Sequence, residues 1–427
     1  MGGPGRGGSP VAPSPLRLLA TAPDAPTLLR ESEPQHPRRL AVLLSGGVDS
    51  SVALALALAA GHKVEAFYLQ IWFQEDFRNT WSACPWEAEL RECEAVCASL
   101  GQVPLHVVRL TDDYWRLVVD ECIRDVRRGR TPNPDVLCNS RIKFGAFHEW
   151  LEANRPGEFD GIVSGHYARL ECEKEPGTAA TRVHLHAAAD PIKDQTYFLS
   201  QLSAAQLARC VFPLGALTKR EVRDVAHRLR LPNAARPESQ GLCFLGQVRF
   251  PEFIRAHLGD WPGPILQHET GALLGYHQGF WYFTPGQRRG IRLPGGPWYV
   301  TRKDTRRNVV FVSRAYHQTA EADRRLFRVN NLVWHESPAT LPPERGERGL
   351  FRLRCKTRHG PETHDAQLRL RPGFRDAEAV VVLAQPDQGL ASGQFAVFYT
   401  DDGLCCASGV IDGFPSGQSL RRRRNAA

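Results

Sequence analysis

Two thiols, a carboxylate and a glycine turn carry the reactive potential of this 427-residue sequence. Residues 129–144 read GRTPNPDVLCNSRIKF, in which Pro132 and Pro134 bracket Asn133. Proline fixes φ, so the spacing predicts a rigid extended turn exposing Asp135 and, three residues on, Cys138. A carboxylate beside a thiol suits proton transfer next to a nucleophile. A proline-rich connection with a buried cysteine has the same spacing, and both readings stay open here. Residues 238–246, ESQGLCFLG, set Cys243 between Gly241 and Gly246, the pattern of a loop able to move a thiol or of a core cysteine. Residues 45–51, SGGVDSS, follow the apolar run LAVLL and precede VALALALAAG. That order predicts strand, glycine turn and helix, and the unpaired N–H groups of a helix's first turn bind anions. Gly46 and Gly47 permit close approach of a phosphate, while Ser45, Ser50 and Ser51 offer hydroxyls. No lysine stands where a Walker A loop has one.

The elements that must hold these groups follow from periodicity. Residues 63–72 (KVEAFYLQIW) read as a second strand, which makes a βαβ unit and a parallel sheet. A helix over 87–100, a strand within 101–110, a helix over 114–128 and a short strand at 161–165 come next. Alternation through about residue 230 predicts an α/β, doubly wound sheet with its ligand at the carboxyl ends of the strands. Residues 213–237 form a polar boundary region around a helix with Lys219, Arg220, Arg223, Arg228 and Arg230, either an RNA-facing or a solvated surface. Short aromatic and β-branched runs at 250–318 predict a small, mostly β module, and those at 350–356, 379–384 and 393–411 a barrel or sandwich. The expected units are a disordered 1–38, a catalytic 39–248, a central 249–320, a C-terminal β unit over 321–413 and a basic tail over 414–427 with four consecutive arginines.

The totals agree with a soluble, multidomain protein, whose basic excess suits either a polyanionic partner or simply a soluble surface. Lys and Arg exceed Asp and Glu by 8. No apolar stretch is long enough for a membrane span, and no membrane partner is expected. Eleven cysteines without dense spacing point to a reducing compartment. Cys84, Cys93 and Cys97 match no standard ligand motif; they read as structural thiols, with a metal or iron–sulfur site as the alternative, and no metal beyond Mg²⁺ is expected. The first thirty residues carry Arg6, Arg17 and Arg30 against one acid, Asp24, a composition similar to an organelle transit peptide, mitochondrial or plastid, with a cytoplasmic disordered tail as the alternative.

SGGVDS resembles the PP-loop of the ATP pyrophosphatases. With GRTPNPDVLCN, SGHYAR, KDQTYFLSQL, SQGLCFLG, TPGQRRG and SGQFAVFY in that order, the sequence resembles the tRNA 2-thiouridylases from about residue 38 to 412. The resemblance implies a PP-loop domain, a central domain and a C-terminal β-barrel. It implies an ATP-dependent exchange of the wobble uridine C2 oxygen for sulfur, with Mg²⁺ and a persulfide donor. Ser45, Gly46, Gly47, Val48, Asp49, Ser50 and Ser51 would bind ATP, with Leu69, where methionine is usual, at the adenine, and Gly165 beside the nucleotide or substrate. Asn133, Pro134 and Asp135 would face the base, Cys243 would carry the persulfide and Cys138 would complete a transient disulfide with it. His166, Lys193, Asp194, Gln195, Arg358, His359 and Gln394 would contact the tRNA anticodon stem-loop; His359 stands where tyrosine is usual. The partners implied are a sulfur-donor protein, either a cysteine desulfurase or a relay, and a reductant. Another adenylating PP-loop ligase and a catalytically silent tRNA-binding homologue are the competing readings.

Overall fold

A computed structural model describes residues 37–71, 85–174, 181–237, 250–319, 324–341, 347, 349–371 and 377–414. Strand β1 (Arg39–Leu43) lies at the centre of a parallel sheet with β2 (Lys63–Gln70), β3 (Leu105–Arg109), β4 (Gly161–Val163) and β7 (Cys210–Val211), in the order β3-β2-β1-β4-β7. The unbroken apolar run at 40–44 is explained by burial of both sheet faces. Leu40, Val42 and Leu44 join Val52 and Leu56 of helix α1 (Val48–Ala59) in one core. Ala41 and Leu43 point the other way, toward Phe67, Ile142 and Phe147. Because β2 and β4 flank β1 on opposite sides, the strand order reverses at β1, and the open crevice of such a sheet lies at that strand's carboxyl end.

Helix α2 (Pro85–Ser99) packs beside α1 through Cys93, Val96 and Cys97. Helix α3 (Asp120–Arg127) continues from a π-helical stretch (Trp115–Val119). Helix α4 (Pro134–Cys138) runs into a second π-helical stretch (Asn139–Ala146) and α5 (Phe147–Asn154). Helix α6 (Lys219–Arg228) covers the other face, with Val222, Val225 and Ala226 in the core of α1.

Strand–helix alternation does not run unbroken to residue 230 as expected. Between β4 and β7 lies an antiparallel hairpin of β5 (Arg169–Lys174) and β6 (Thr181–His186). Its sequence signal was the alternation of RLECEK and TRVHLH about Pro176-Gly177. The central module begins with helix α7 (Phe250–Leu258) and then forms a mixed sheet of β8 (Gly263–Gln267), β9 (Leu273–His277), β10 (Tyr299–Asp304) and β11 (Val309–Ser313).

The last unit is a closed six-stranded barrel. Its strands are β12 (Leu326–Trp334), β13 (Leu350–Lys356), β14 (His364–Leu370), β15 (Glu378–Leu383), β16 (Phe395–Tyr399) and β17 (Cys405–Gly413). Strand β16 is buried on both sides: Ala396 and Phe398 fill the barrel, whereas Phe395, Val397 and Tyr399 join the core of the parallel-sheet domain with Tyr197 and Leu199. The barrel is thereby docked through apolar contact, the dominant driving force for such burial.

Candidate active site

The turn after β1 is built to present backbone N–H groups. Gly46 has φ of 71°, a left-handed conformation that costs glycine little, and Gly47 is the extended N-cap of α1. The Ser50 and Ser51 hydroxyls donate to the Gly47 carbonyl at 3.0 and 2.9 Å, and the Ser45 N–H donates to Ser50 Oγ at 3.2 Å. The serines therefore shape the loop. Asn233 Nδ2 and Arg236 Nη1 donate to the Gly46 carbonyl at 2.8 and 2.9 Å, so the peptide is held from α6's far side by residues that the sequence reading did not single out. A Cβ on Gly165 would lie 2.7 Å from the Asp49 carbonyl carbon and the Ser50 nitrogen, so the SGHYA turn sits on the loop backbone. Leu69, half-buried near the end of β2, lies one strand away and packs against the core.

Asp49 in the first turn of α1 accepts from Tyr167 Oη at 2.9 Å and from Lys219 Nζ at 2.6 Å. Lys219 is thus turned into the phosphate loop, a correction to its grouping with an RNA-facing or solvated helix surface. The reason is the capping box: Thr218 and Glu221 fix the start of α6, and the first residue inside it faces α1.

The second group departs from the extended turn expected at Asn133. Asn133 is the N-cap of α4, its Oδ1 accepting from the Val136 N–H at 3.4 Å, and Pro134 occupies the first helical position, where its missing N–H costs nothing. Cys138 ends that helix only 1% exposed, in the core with Val136 and Tyr197, while Asp135 is half-buried. The thiol is therefore shielded.

Four of the residues expected at the RNA make hydrogen bonds or ion pairs within the protein. Asp194 is buried and ion-paired with Lys356 Nζ at 2.7 Å, with Thr196 Oγ1 donating to it at 2.9 Å; burial with a cation from the barrel removes its carboxylate from the surface. His166 is buried between Phe144 and Phe212, its Nδ1 2.7 Å from Ser164 Oγ. Burial, with Lys143 nearby, lowers its pKa well below the ordinary histidine value, so it is neutral and not a phosphate-binding cation. Gln195 takes both hydrogen bonds of the Tyr167 backbone at 2.9 and 3.0 Å. Gln394 Nε2 donates to the Thr131 and Pro132 carbonyls at 2.9 and 3.2 Å, and its Oε1 accepts from Asn133 Nδ2 at 3.3 Å.

Lys193 is half-buried, and Arg358 is half-exposed at the rim, held by Asp387. The His359 ring lies 4.6 Å from that of Phe198. Its pKa is lowered, first by desolvation and then by Lys356, while Asp194 and Asp135 oppose the shift, so these groups share one electrostatic neighbourhood. The two groups are physically continuous: Gln195 holds Tyr167, and Tyr167 holds Asp49. Cys243 lies outside the described residues, as does Cys84. Cys93 donates to the Leu44 carbonyl at 3.7 Å and burial pushes its thiol up to about 12, that of Cys97 to about 11, the behaviour of packing residues.

A glycine turn at the switch point of a parallel sheet, a thiol-bearing helix packed in the core on the opposite sheet face and a docked barrel define a nucleotide-binding α/β enzyme of the PP-loop class. Family models match in series: a tRNA methyl transferase HUP domain at 38–247, a tRNA methyl transferase PRC-barrel domain at 251–314 and an aminomethyltransferase beta-barrel domain at 324–411. A tRNA-specific 2-thiouridylase MnmA of Porphyromonas gingivalis is 38% identical over 382 residues, 87% of this chain and 98% of that protein. One of Parabacteroides distasonis is 38% identical over 375 residues, with the same coverage. Among solved structures, a 4-thiouridine synthetase–RNA complex with bound ATP aligns at 16% identity and TM-score 0.32, over 48% of this chain and 44% of that one. NMN synthetase from Francisella tularensis aligns at 14% identity and TM-score 0.30, over 56% and 79%. The chain belongs to the tRNA-specific 2-thiouridylase family.

Proposed function

We propose that the chain performs this family's reaction, ATP-dependent tRNA 2-thiolation, at the wobble uridine and with the following division of labour. The uridine C2 oxygen is a poor leaving group, so it first attacks the α-phosphorus of ATP. Pyrophosphate leaves, and the base carries an O2-linked adenylate. The N–H groups at the start of α1 and the cations Lys219 and Arg236 stabilise the departing charge. Mg²⁺ bound to the phosphate oxygens of ATP would offset charge on the pyrophosphate; Asp49, both of whose carboxylate oxygens take Lys219 Nζ, at 2.6 and 2.8 Å, would have to release that pair to join its donor set.

The terminal sulfur of a Cys243 persulfide then bonds to C2, and AMP leaves with the C2 oxygen. The Cys138 thiolate attacks Cys243 Sγ, breaking the persulfide S–S bond. The bonding pair stays with the sulfur on C2, giving 2-thiouridine, and a Cys138–Cys243 disulfide forms. A thiol reductant supplies the two electrons that reopen it, and a sulfur-donor protein, either a cysteine desulfurase or a relay, reloads Cys243. Asp135, on the helix that carries Cys138, moves the proton. The base leaves its stack to reach this helix, and Lys193, Arg358 and His359 contact the anticodon stem-loop, with phosphate contacts dominating affinity. The basic, acid-poor start of the chain supports action in a mitochondrion or plastid.

The observation that carries this reading is the unbroken link from the phosphate loop through Asp49, Tyr167 and Gln195 to the segment packed on α4. Incubating the protein with unmodified tRNA, ATP, Mg²⁺ and a persulfide source, then measuring nucleosides by mass spectrometry, tests it. Formation of 2-thiouridine together with AMP and pyrophosphate is expected. Absence of 2-thiouridine beside an active control overturns the reading.

A further inference from the structure

We infer that Asp190 is a positioning residue that ties the turn offering Lys193 to tRNA to the helix offering Lys219 to the ATP phosphates, so that one carboxylate sets both in register. The inference rests on the roles given to those two lysines above.

The Asp190 carboxylate is divided between two elements. Its Oδ1 accepts from the Ile192 and Lys193 N–H groups at 3.0 and 3.1 Å, which closes a turn over residues 190–193. Its Oδ2 accepts from the Lys219 N–H at 3.0 Å. That N–H is the first of α6 and has no carbonyl partner inside the helix, so the carboxylate also meets the helix's positive end. Desolvation raises the Asp190 pKa, but the N–H groups of Lys219, Lys193 and Ile192 outweigh it; the carboxyl lies below its ordinary value and is ionised at neutral pH. The Ala189 N–H donates to the Gly215 carbonyl at 2.8 Å, so the two segments already lie side by side before this junction.

Each lysine is aimed by what Asp190 holds. On one side the Lys219 backbone is fixed, and its Nζ reaches both Asp49 oxygens, at 2.6 and 2.8 Å. On the other side the turn stands out from the protein, with Ile192 67% exposed and Lys193 following it. The far end of the turn is closed by Asp194, which accepts from the Ala188 N–H at 3.2 Å and pairs with Lys356 of the barrel. The turn thus spans from α6 to the barrel, and Asp190 is the side chain that joins it to α6.

The test uses Asp190→Ala, which removes both ties, and Asp190→Asn, whose one carbonyl oxygen can still close the local turn but whose amide NH₂ faces the Lys219 N–H. In Asp190→Ala the tRNA Kd, measured by filter binding, is expected to rise and pyrophosphate release at saturating tRNA and ATP to slow. Each change should be roughly tenfold, the scale of a lost hydrogen bond to a charged group. Asp190→Asn should show the slower release with a Kd within about threefold of the original. Double variants separate positioning from general damage. Adding Asp190→Ala to Lys193→Met is expected to weaken tRNA binding no further, and adding it to Lys219→Met to slow pyrophosphate release no further. Additive losses in either background overturn the proposal. Hydrogen exchange, which needs no activity, is expected to quicken at the Lys193 and Lys219 amides of Asp190→Ala while Val225, inside α6, keeps its protection. Failure of the thiolation reading would show separately, as absent 2-thiouridine beside that same exchange pattern. Unchanged exchange at Lys219 overturns the proposal even where thiolation holds, and deprotection of Val225 as well overturns it in favour of unfolding of the helix.

Discussion

At the scale of single residues, chemistry and packing compete for the same side chains. Cys138 is buried at the end of α4, so its reactivity depends on what approaches it and not on exposure. Cys138→Ser and Cys243→Ser are each expected to abolish 2-thiouridine while tRNA-dependent AMP formation continues, because adenylation uses neither thiol. Nucleoside mass spectrometry beside an AMP assay checks this, and full thiolation by both variants removes the thiol mechanism. Gly165 is a case of pure geometry. Gly165→Ala places a methyl 2.7 Å from the backbone of Asp49 and Ser50, closer than atoms tolerate, at a cost of about 1–3 kcal/mol. A raised KM for ATP with unchanged tRNA affinity is the expected kinetic signature.

At the scale of elements, α1 and α6 form one unit through Asp49 and Lys219. The Coulomb attraction is enhanced because the Lys219 side chain is only 15% exposed. Lys219→Met removes a cation from beside the phosphates, and a fall in pyrophosphate release of roughly tenfold or more is expected, in the range of a lost electrostatic contact. Binding of tRNA should be unaffected, which separates this role from the RNA-facing one that the helix's arginines suggested; a selective loss of tRNA binding would falsify it. The element that sequence periodicity misjudged most was 133–138. Its two prolines read as a turn, yet an asparagine cap followed by proline is also how a helix begins, and burial of Val136, Leu137 and Cys138 decided between the two.

At the scale of the whole molecule, the barrel is docked by apolar burial and by a few polar contacts inside it. His335 is one: its Nε2 donates to the Ser200 carbonyl at 2.8 Å, and its Nδ1 has no partner among the described residues. Burial lowers its pKa from 6.5 to about 4. The unfolded chain takes up a proton near 6.5 that the folded chain refuses, so stability is complete above that pH and is lost on acidification toward 4, by up to about 1.4 kcal/mol per pH unit. His335→Gln, which can still donate to Ser200, should give a shallower dependence of Tm on pH across that window. Parallel curves for the two proteins would show that this histidine does not link docking to pH.

By itself the sequence determined the parts whose signals are local. The apolar run at 40–44, the glycines after it and the Ala/Leu-rich stretch beyond dictated strand, loop and helix, and hence a phosphate site, because backbone angle, propensity and two-faced burial all act over a few residues. The alternating runs after 350 likewise announced the barrel strands. Only the tertiary structure decided which polar side chains are spent on the protein itself. Asp194, His166 and Lys219 all sit in strings that promise surface chemistry, and each is claimed by a partner within the chain. Side-chain direction and burial follow from long-range packing, for which neighbouring letters carry no signal, so the identity of the site was legible while its wiring was not.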